Sequence, residues 1–461
     1  MSPRETPALR DFIGSAAAGR TISDSRTTVP LADLAAESCL RGRLSELSGR
    51  SVLLAVSDQL KTGIAMIELD GVARRMLLCP PDLNLEHIPS LIDDAQIDAI
   101  VCDDPAPWKS AGVPLTVTAS LPLRAAIPVK TERTTEWLML TSGTTGAPKI
   151  VHHSLATLIG AIVADGPSSK PAATWATFYD IRRYGGLQIF LRAIVGGGSM
   201  VLSDPAESIA EYVARLTVRG VTHISGTPSH WRKALMSGET ETFAPGYVRL
   251  SGEIADQAVL DSLRRAFPAS SIGHAYASTE AGVGFAVNDG LEGFPAAMLG
   301  VTKGGVEMKV EEGSLRIRSP RTAYGYVGRN ASALMDGDGF IDTGDMVDLR
   351  DGRYYFVGRR GGIVNVGGLK VHPEEVEAAI NRHRHVLMSR VRSRRSPITG
   401  AIVIADVVLS ETAGALHSAV IRDEIMATCR ESLAIHKVPA MISFVASLDV
   451  TPSGKLARQN A

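Results

Sequence analysis

Short apolar runs alternate with amphipathic segments up to about residue 300. The clearest unit begins after Asp204, where apolar side chains recur at i, i+3, i+4 and i+7, the spacing of an amphipathic helix; they are Ile209, Tyr212, Val213 and Leu216. Gly220 ends this helix, and residues 221–224 return as a strand. A second unit has a strand at 247–250 and a helix at 256–267. This alternation predicts an α/β fold built on a layered, mostly parallel sheet.

The pattern changes after about Gly300, where strands become short and are separated by turns. Asp-Gly pairs, which signal hairpins, stand between apolar runs at 336–337 and 351–352. A chain of 461 residues is also too long for one ordinary core. We therefore expect a large α/β domain with a turn-rich β subdomain over residues 1–360.

From Gly361 the chain reads as a small, separate α+β unit. Its predicted elements are helices at 374–380 and 416–432 and strands at 401–409 and 441–445. We assign residues 361–461 to a mobile C-terminal domain, with the pair Gly361-Gly362 as the joint.

Composition excludes several classes of protein. A net charge of −1 argues against a nucleic-acid partner, and the basic run at 390–395 is interpreted as a solvated loop. The four cysteines form no CxxC pair, so we expect buried, reduced thiols. No apolar run reaches about 18 residues, so no membrane span is expected. No secretory signal is visible, and we expect a cytoplasmic protein.

The segment Thr141-Ser142-Gly143-Thr144-Thr145-Gly146-Ala147-Pro148-Lys149 follows an apolar strand at 137–140. Its glycines let the backbone approach a polyphosphate, its hydroxyl groups add donors, and Lys149 adds positive charge. The spacing is not G-x-x-x-x-G-K-[ST], so a P-loop NTPase is disfavoured. The segment predicts a polyphosphate site, with a polar surface loop as the alternative.

This segment resembles the phosphate-binding signature of the adenylate-forming (AMP-binding) superfamily, and most of all that of stand-alone acyl-CoA synthetases. Further motifs of the superfamily follow in order: Tyr276-Ala277-Ser278-Thr279-Glu280, Asp342-Thr343-Gly344-Asp345, Gly358-Arg359-Arg360, the stretch 367–377, and Pro452-Ser453-Gly454-Lys455. The resemblance spans about residues 137–458. It implies that ATP and Mg²⁺ convert a carboxylic acid to an acyl-adenylate with release of pyrophosphate, and that a thiol then takes the acyl group as a thioester.

The resemblance also implies a role for each matching residue. The nucleotide would be held by Thr141, Ser142, Gly143, Thr144, Thr145, Gly146 and Lys149 at the phosphates, by Gly252, Glu253, Tyr276 and Ala277 at adenine, and by Asp345 and Arg359 at ribose. Thr279 would contact the α-phosphate, and Glu280 would hold Mg²⁺, a cation that suits a carboxylate. Lys455 would lie between the substrate carboxylate, ribose and α-phosphate.

The chemistry of this reaction needs cations rather than a side-chain base, because the carboxylate of the acid is itself the nucleophile. His152 and His153 are therefore interpreted as structural. Three residues depart from the superfamily pattern. Gly361 replaces the usual hinge aspartate, Asn365 replaces a lysine, and Ala277 replaces a glycine.

The acyl pocket implied by the resemblance includes Arg183, Tyr184, Gly185, His230, Ser251 and His274. Tyr184 stands where members that activate amino acids carry an aspartate, so amino acids are disfavoured as substrates. Arg182 and Arg183 either meet a second anionic group of the acid or pair with surface acids.

The thiol acceptor stays open between coenzyme A and the phosphopantetheine of a separate carrier protein. Gly367 and Gly368 would line the thiol tunnel, and no fused carrier domain is expected after Lys455. A ligase that loads a carrier protein is thus the first alternative to an acyl-CoA synthetase. The second is a non-catalytic paralogue that senses an acyl group or a nucleotide, which is disfavoured because Glu280, Asp345, Arg359 and Lys455 are all present.

Overall fold

The structure is a computed structural model that describes residues 6–14, 19–141, 148–164, 172–301, 304–329, 331–396, 400–410, 418–451 and 454–457. Up to residue 141 its strands are β1 (Thr21–Ser23), β2 (Thr28–Pro30), β3 (Glu37–Ser38), β4 (Ser51–Ala55), β5 (Arg75–Leu78), β6 (Ala99–Cys102), β7 (Leu115–Thr118), β8 (Arg124–Ala125) and β9 (Glu136–Thr141). The helices of this part are α1 (Gln59–Leu69) and α2 (Ile88–Ala95).

The middle of the chain alternates strands and helices. Its strands are β10 (Lys149–Ser154), β11 (Thr174–Thr177), β12 (Ser199–Val201), β13 (His223–Gly226), β14 (Tyr247–Ser251), β15 (Ser271–Ser278), β16 (Gly282–Val287), β17 (Phe294–Pro295) and β18 (Gly300–Val301). Its helices are α3 (Leu155–Ala164), α4 (Tyr184–Val195), α5 (Ile209–Val218), α6 (Pro228–Met236) and α7 (Gln257–Ala266).

The last part is richer in strands. They are β19 (Glu307–Glu311), β20 (Ser314–Arg318), β21 (Gly325–Val327), β22 (Ile341–Arg350), β23 (Arg353–Arg359), β24 (Val364–Val366), β25 (Leu369–Val371), β26 (Val386–Ser396), β27 (Gly400–Leu409) and β28 (Met441–Phe444). Helices α8 (Pro373–Asn381) and α9 (Ser418–Ser432) accompany them.

Two large, mostly parallel sheets organise the first domain. One has the order β16-β15-β14-β13-β11-β12-β1-β2, and the other has the order β21-β10-β9-β5-β4-β6-β7. Strands β15, β14, β13, β11, β12 and β1 run parallel to their neighbours, with antiparallel strands at the two edges. The predicted layered α/β architecture is confirmed.

The apolar cores explain why the first sheet is covered on both faces. One core fills the space between the two sheets and contains side chains of α1, α3 and α4, such as Ile64, Leu158 and Phe190. A second core covers the opposite face of the first sheet with α5, α6 and α7. Alternate residues of β14 therefore point into different layers, and Val248 and Leu250 belong to the second core.

The β subdomain has the strand order β17-β23-β22-β20-β19-β18. Asp351 and Gly352, with φ of 47° and 75°, form the turn that joins β22 to β23, as the Asp-Gly signal predicts. The other Asp-Gly pair does not join two paired strands. The carboxylate of Asp336 accepts hydrogen bonds from the backbone N–H groups of Asp338 and Phe340, and this local turn leads into β22.

The C-terminal unit is a three-stranded sheet, β26-β27-β28, packed on α8 and α9 around its own apolar core. The interpretation of the basic run as a loop was wrong, because these residues belong to β26. Asp406 on β27 accepts from Arg390 at 2.9 Å and from Arg392 at 3.0 Å, so a carboxylate on the neighbouring strand compensates part of the charge. The predicted helix at 416–432 is α9, which begins at Ser418.

All four cysteines are buried and free, as expected. In the part of the chain that the structure describes, none of the helices combines the length and apolar character that crossing a bilayer requires.

Candidate active site

The candidate site lies at the edge of the first sheet where its parallel strands end. Because parallel strands share a direction, the segments that follow β11, β13, β14 and β15 meet at one edge, the usual ligand position in such sheets. They bring together Tyr179, Thr227, Gly252 and Glu280. Residues in all four segments were predicted to hold the nucleotide or the acid, and the fold explains how distant motifs converge.

Lys455 reaches this edge on a turn from the C-terminal unit. The backbone N–H of Thr451 donates to the Lys455 carbonyl, and the N–H of Gly454 donates to the Thr451 carbonyl. The Gly454 carbonyl then accepts from the Thr227 hydroxyl at 2.5 Å. As a result, the Cε atom of Lys455 lies 3.8 Å from the point where a β-carbon on Gly252 would stand.

Glycine is required at position 454 for this approach. Its φ is +76°, and a β-carbon there would stand 1.8 Å from the Cε1 atom of His230. The imidazole ring stacks on Phe178 with centroids 5.4 Å apart, so it has little room to yield. Burial lowers the pKa of His230 to about 3, which keeps the ring neutral. The predicted pocket residue His230 therefore forms the surface on which the lysine turn rests.

Glu253 also belongs to this contact between the domains. Its carboxylate accepts from the backbone N–H and the hydroxyl of Ser229 at the start of α6, at 2.9 and 3.0 Å. It accepts a third bond, at 2.7 Å, from the N–H of Leu456 next to the lysine. The side chain that was predicted to flank adenine is thus engaged in holding the C-terminal turn.

The ammonium group of Lys455 is surrounded by charges of both signs. Desolvation by the surrounding protein, followed by the positive charge of Arg359, lowers its pKa, while nearby carboxylates, Glu253 first among them, oppose the change. A further negative charge nearby would stabilise the protonated form of Lys455 and raise its pKa again.

Tyr276, Asp345 and Arg359 form one connected group on the side of the β subdomain. The Tyr276 hydroxyl donates to Asp345 Oδ2 at 2.6 Å, and Arg359 Nε donates to Asp345 Oδ1 at 2.8 Å. Burial raises the pKa of Tyr276, and the charge of Asp345 raises that of Arg359. Each carboxylate oxygen keeps a second lone pair, so Asp345 retains capacity for ribose hydroxyl groups.

The ring of Tyr276 belongs to an aromatic cluster. Phe285 and Phe356 lie nearly parallel to it, with centroids 5.6 and 5.5 Å away. The hydroxyl bond to Asp345 and these two rings fix the side chain before any ligand arrives. Stacking of adenine on Tyr276, beside Ala277, stays a prediction.

Thr279 is positioned through a buried histidine. His153 is fully buried, and burial lowers its pKa to about 4, so the ring is neutral. Its Nε2 lies 2.6 Å from the Thr279 carbonyl, which can only accept, so Nε2 carries the proton. Nδ1 then faces the Thr157 hydroxyl at 2.9 Å. This arrangement accords with the structural role predicted for His153.

Glu280 faces a cavity of about 450 Å³ between the first sheet and the β subdomain. Lys149, Tyr326, Thr343 and Arg359 also line it. The ammonium group of Lys149 lies 4.8 Å from the centre of the Tyr326 ring, and burial raises the pKa of that tyrosine to about 12. The walls of the cavity carry three cations, Lys149, Arg316 and Arg359, and three carboxylates, Glu280, Asp336 and Asp342. Cations and hydroxyl groups suit a polyphosphate, and carboxylates suit a metal ion bound with it.

The donor set fits Mg²⁺ bound mainly by substrate. The described residues contain no cluster of three or more His, Cys, Asp or Glu side chains that could hold a metal. Magnesium is usually held by one or two carboxylates together with phosphate oxygens, and Glu280 supplies one carboxylate at the cavity.

Only the two ends of the predicted phosphate loop fall within the described residues. Thr141 and Lys149 pair across the antiparallel ladder of β9 and β10. The remaining predicted contacts, Ser142, Gly143, Thr144, Thr145 and Gly146, lie outside the described residues.

The predicted acyl-pocket residues are spread over several elements: Tyr184 and Gly185 begin α4, Ser251 ends β14, and His274 lies within β15. His274 pairs with Leu250 of the second core, so its side chain is on the face of the sheet opposite α4. Tyr184 is buried at the start of α4, and Gly185 lies against the ring of Tyr179. The Ser251 carbonyl accepts from the Tyr179 hydroxyl at 2.5 Å. His274 bonds through Nε2 to the carbonyl of Leu291 at 2.9 Å, which directs its ring towards the β subdomain.

Both arginines that could meet a second anion have acidic partners within the protein. Arg182 pairs with Asp180 and also donates to the carbonyls of Val56 and Ser57. Arg183 pairs with Asp82. Of the two readings left open by the sequence, pairing with acids is the one that the structure shows.

A buried cation that sequence reasoning missed is Arg249, on β14. It is a single charge inside an apolar strand of the central sheet, a position that charged residues seldom take without a partner. That mismatch with the strand pattern was the available signal.

The predicted thiol-tunnel residues are exposed. They belong to the two-stranded sheet of β24 and β25, which is separate from the first sheet. Gly367 and Gly368, with φ of +59° and +88°, form the turn between β24 and β25. Gly361 and Gly362 are exposed, and a β-carbon on either residue would meet nothing within 4 Å. Asn365 is also exposed. The domain boundary at residues 360–361 stays a prediction.

A two-sheet α/β domain, with a small unit docked at the carboxyl edge of one sheet beside a charged cavity, defines an adenylate-forming enzyme. The sequence profile described as AMP-binding enzyme matches residues 70–327, and the profile of the AMP-binding enzyme C-terminal domain matches residues 375–455. The chain belongs to the AMP-binding enzyme family. The predicted fold class and the predicted class of enzyme, an AMP-forming acid–thiol ligase, are confirmed.

Named relatives share this length and fold. The 2-succinylbenzoate–CoA ligase of Geobacillus kaustophilus is 26% identical over 95% of this chain and 93% of its own. That of Bacillus velezensis is 26% identical over 89% and 82%. The solved structure of an anthranilate–CoA ligase in complex with anthranoyl-AMP superposes with a TM-score of 0.80 at 17% identity, covering 99% of this chain and 97% of that one.

Replacing Gly454 with alanine is expected to slow adenylation about 100-fold, because the lysine turn cannot seat against His230 and a misplacement of about 1 Å costs this much. Acid-dependent exchange of pyrophosphate with ATP measures the step. Gly220→Ala is the matched control, since Gly220 also has a positive φ, +61°, and a β-carbon there meets nothing within 4 Å. Wild-type exchange in Gly454→Ala would contradict the assigned contact.

The neutral His153 is expected to make stability depend on pH. Its pKa falls from 6.5 to about 4 on folding, so the folded state loses stability as the pH falls below 6.5, reaching about 3 kcal/mol below pH 4. The free energy of unfolding in urea, measured from pH 4 to pH 8 for wild type and His153→Gln, tests this. His230 titrates in both proteins and cancels. A difference that is constant with pH would refute the assignment.

Proposed function

We propose that the residues gathered at the carboxyl edge of the first sheet carry out the adenylation step, with Lys455 as the catalytic cation. The observation that carries this is the seated lysine turn, which places the Lys455 side chain beside Gly252. The group of Tyr276, Asp345 and Arg359 stands next to it in the proposed site as the ribose and adenine contacts.

In the proposed reaction, a carboxylate oxygen of the acid attacks the α-phosphorus of ATP. The bond from that phosphorus to the pyrophosphate oxygen breaks, so pyrophosphate leaves and the acyl-adenylate remains. No proton is transferred in this step. The barrier is largely electrostatic, because negative charge accumulates on the α-phosphate. Lys455 and Arg359 oppose that accumulation, and Thr279, fixed through His153, holds the α-phosphate in line.

Glu280 would hold Mg²⁺ at the cavity together with the phosphate oxygens of ATP. When bound, the ion supplies positive charge that offsets the charge of the leaving pyrophosphate. The protein itself contributes Lys149 at the same cavity, and the segment 142–146 stays assigned to the phosphates by resemblance.

The second step forms the thioester. A thiol sulfur attacks the acyl carbon and releases its proton to water, the bond from that carbon to the phosphate oxygen breaks, and AMP leaves. Coenzyme A is the proposed acceptor, in keeping with the ligase names of the relatives. Gly367 and Gly368 face solvent while Lys455 is seated, so we propose that the C-terminal unit turns about Gly361-Gly362 between the two steps. A free carrier protein remains the alternative acceptor.

Amino acids are disfavoured as substrates, since Tyr184 stands where members that recognise an α-amine carry an aspartate. A first panel contains 2-succinylbenzoate, anthranilate and 4-coumarate, the acids after which similar proteins are named. Pyrophosphate exchange with any acid supports the proposal, and no exchange with a wide panel favours a non-catalytic paralogue. Action in the cytoplasm stays a prediction.

Lys455→Ala is expected to slow adenylation by about 100- to 1,000-fold, the usual loss when one preorganised charge is removed from a transition state. Thioester formation from a supplied acyl-adenylate should be spared, because the proposed turn of the C-terminal unit takes Lys455 away from the α-phosphate before that step. Pyrophosphate exchange and thioester yield are measured separately. An equal loss in both steps would show that Lys455 has another role.

The rate of adenylation should decline with rising pH at a lower pH than an ordinary lysine dictates, because the pKa of Lys455 is lowered and only its charged form acts. The pH profile of kcat/KM for ATP reports this group in the free enzyme. Lys455→Arg should move the alkaline decline upwards, since a guanidinium stays charged. An unchanged profile in that variant would assign the decline to another group.

A further inference from the structure

Arg249 is more than nine-tenths buried, with 8% of its surface exposed. Its side chain forms no hydrogen bond or ion pair with any residue that the structure describes. The other buried arginines of this domain are compensated. Arg182 has Asp180 and two carbonyls, and Arg232 has Asp256.

The strand register shows where Arg249 points. Val248 and Leu250 pack into the core beneath α6 and α7, so Arg249 projects from the opposite face, towards α4. Its neighbours in the same row of the sheet are Ser225 on β13 and Gly273 on β15, and Thr177 follows on β11. Thr177 and Ser225 have small side chains, whereas the position beside Gly273 is filled by Asn288, whose Oδ1 atom lies 2.0 Å from where a β-carbon on Gly273 would stand. Asn288 therefore bounds the space next to the guanidinium group on that side.

The residues near this space belong to the predicted acyl pocket. Tyr184 starts α4, and Tyr179 precedes that helix and bonds to the Ser251 carbonyl. Burial raises the pKa of both tyrosine hydroxyl groups, and the nearby charge of Arg249 is among the effects that oppose the rise. Arg249 therefore lies close to both hydroxyl groups, under α4.

Burial removes most of the hydration of the Arg249 side chain, of which 8% stays exposed, and no described residue compensates that loss with a hydrogen bond or an ion pair. None of its nitrogens is among the fully enclosed polar atoms that lack a partner, so the guanidinium group still reaches solvent. A ligand that carries a negative charge into the same space offsets the loss of hydration. Arg249 stands three residues before Gly252 on an extended strand, which separates their Cα atoms by roughly 10 Å. A ligand that reaches both ends must be elongated.

We propose that the acid activated by this protein carries a second anionic group, and that Arg249 binds it at the far end of the acyl pocket. The inference rests on the proposed adenylation site, because it takes the reacting carboxylate to lie beside Lys455. The substrate class is then a dicarboxylate, or an acid with an equivalent terminal anion such as a sulfonate, whose two charged groups are several bonds apart.

Matched pairs of acids test the proposal in pyrophosphate exchange. Each pair consists of a linear or aromatic diacid and its monoamide, which has the same length and lacks the distal charge. We expect kcat/KM to favour the diacid about 10- to 100-fold, the usual value of a charge-assisted bond to a buried group. Arg249→Met should abolish the preference, mainly through KM for the diacid, and Arg249→Lys should retain part of it.

Thermal unfolding separates binding from a structural role. The unliganded Arg249→Met protein should melt no lower than wild type, because an unpaired charge has been removed. A diacid should raise the melting temperature of wild type and leave that of Arg249→Met unchanged. The exposed Arg219→Met, at the end of α5, is the control for loss of an arginine.

Results that contradict the second-anion site differ from results that contradict the proposed adenylation activity. Exchange that favours monoamides, or a diacid preference that survives in Arg249→Met, overturns the second-anion site and leaves adenylation intact. A large drop in the melting temperature of unliganded Arg249→Met assigns the residue to the core and also overturns it. Absence of exchange with every acid refutes the adenylation proposal itself.

Discussion

Close approach of a carboxylate to a triphosphate is opposed by like charge, and the architecture is arranged around that constraint. In the proposed reaction the cation that relieves this repulsion is Lys455, on a turn of the C-terminal unit that fits only because Gly454 has no side chain against His230. Thr227 and Glu253 then hold the turn through its backbone. The position of the Lys455 charge therefore depends on how the C-terminal unit docks, and the proposed adenylation requires that docking.

The rest of the site is fixed before ligands arrive. Asp345 is held from two sides by Tyr276 and Arg359, and the carbonyl of Thr279 is held by a histidine that burial keeps neutral. Such preorganisation matters in a reaction without proton transfer, because catalysis depends on groups that need not reorganise as charge develops. The parallel sheet brings the site residues to a common edge, and the hydrogen bonds to Asp345 and Thr279 orient these residues there.

Much of the fold could be predicted where local pattern and tertiary context agree. Strand β6 and the Asp351-Gly352 turn follow from apolar runs and turn chemistry alone. Strand β26 could not be predicted in this way, because a run of arginines indicates a solvated loop. The partner that compensates their charge, Asp406 on β27, is known only from the structure. Within the site, ordered motifs identified Asp345 and Lys455, whereas Arg249 has no motif. The role proposed for Arg249 depends on which face of β14 its side chain occupies. Only the register of β14 with β13 and β15 shows which face that is.

The row that surrounds Arg249 has an evolutionary consequence. Thr177, Ser225 and Gly273 line one level of the sheet face without belonging to the apolar core on its other side. Exchanges among such positions alter the volume and charge available to a ligand while the cores that hold the fold remain intact. Descendants of one scaffold can therefore diverge in the acid they accept through a few neighbouring substitutions, with the nucleotide chemistry inherited unchanged.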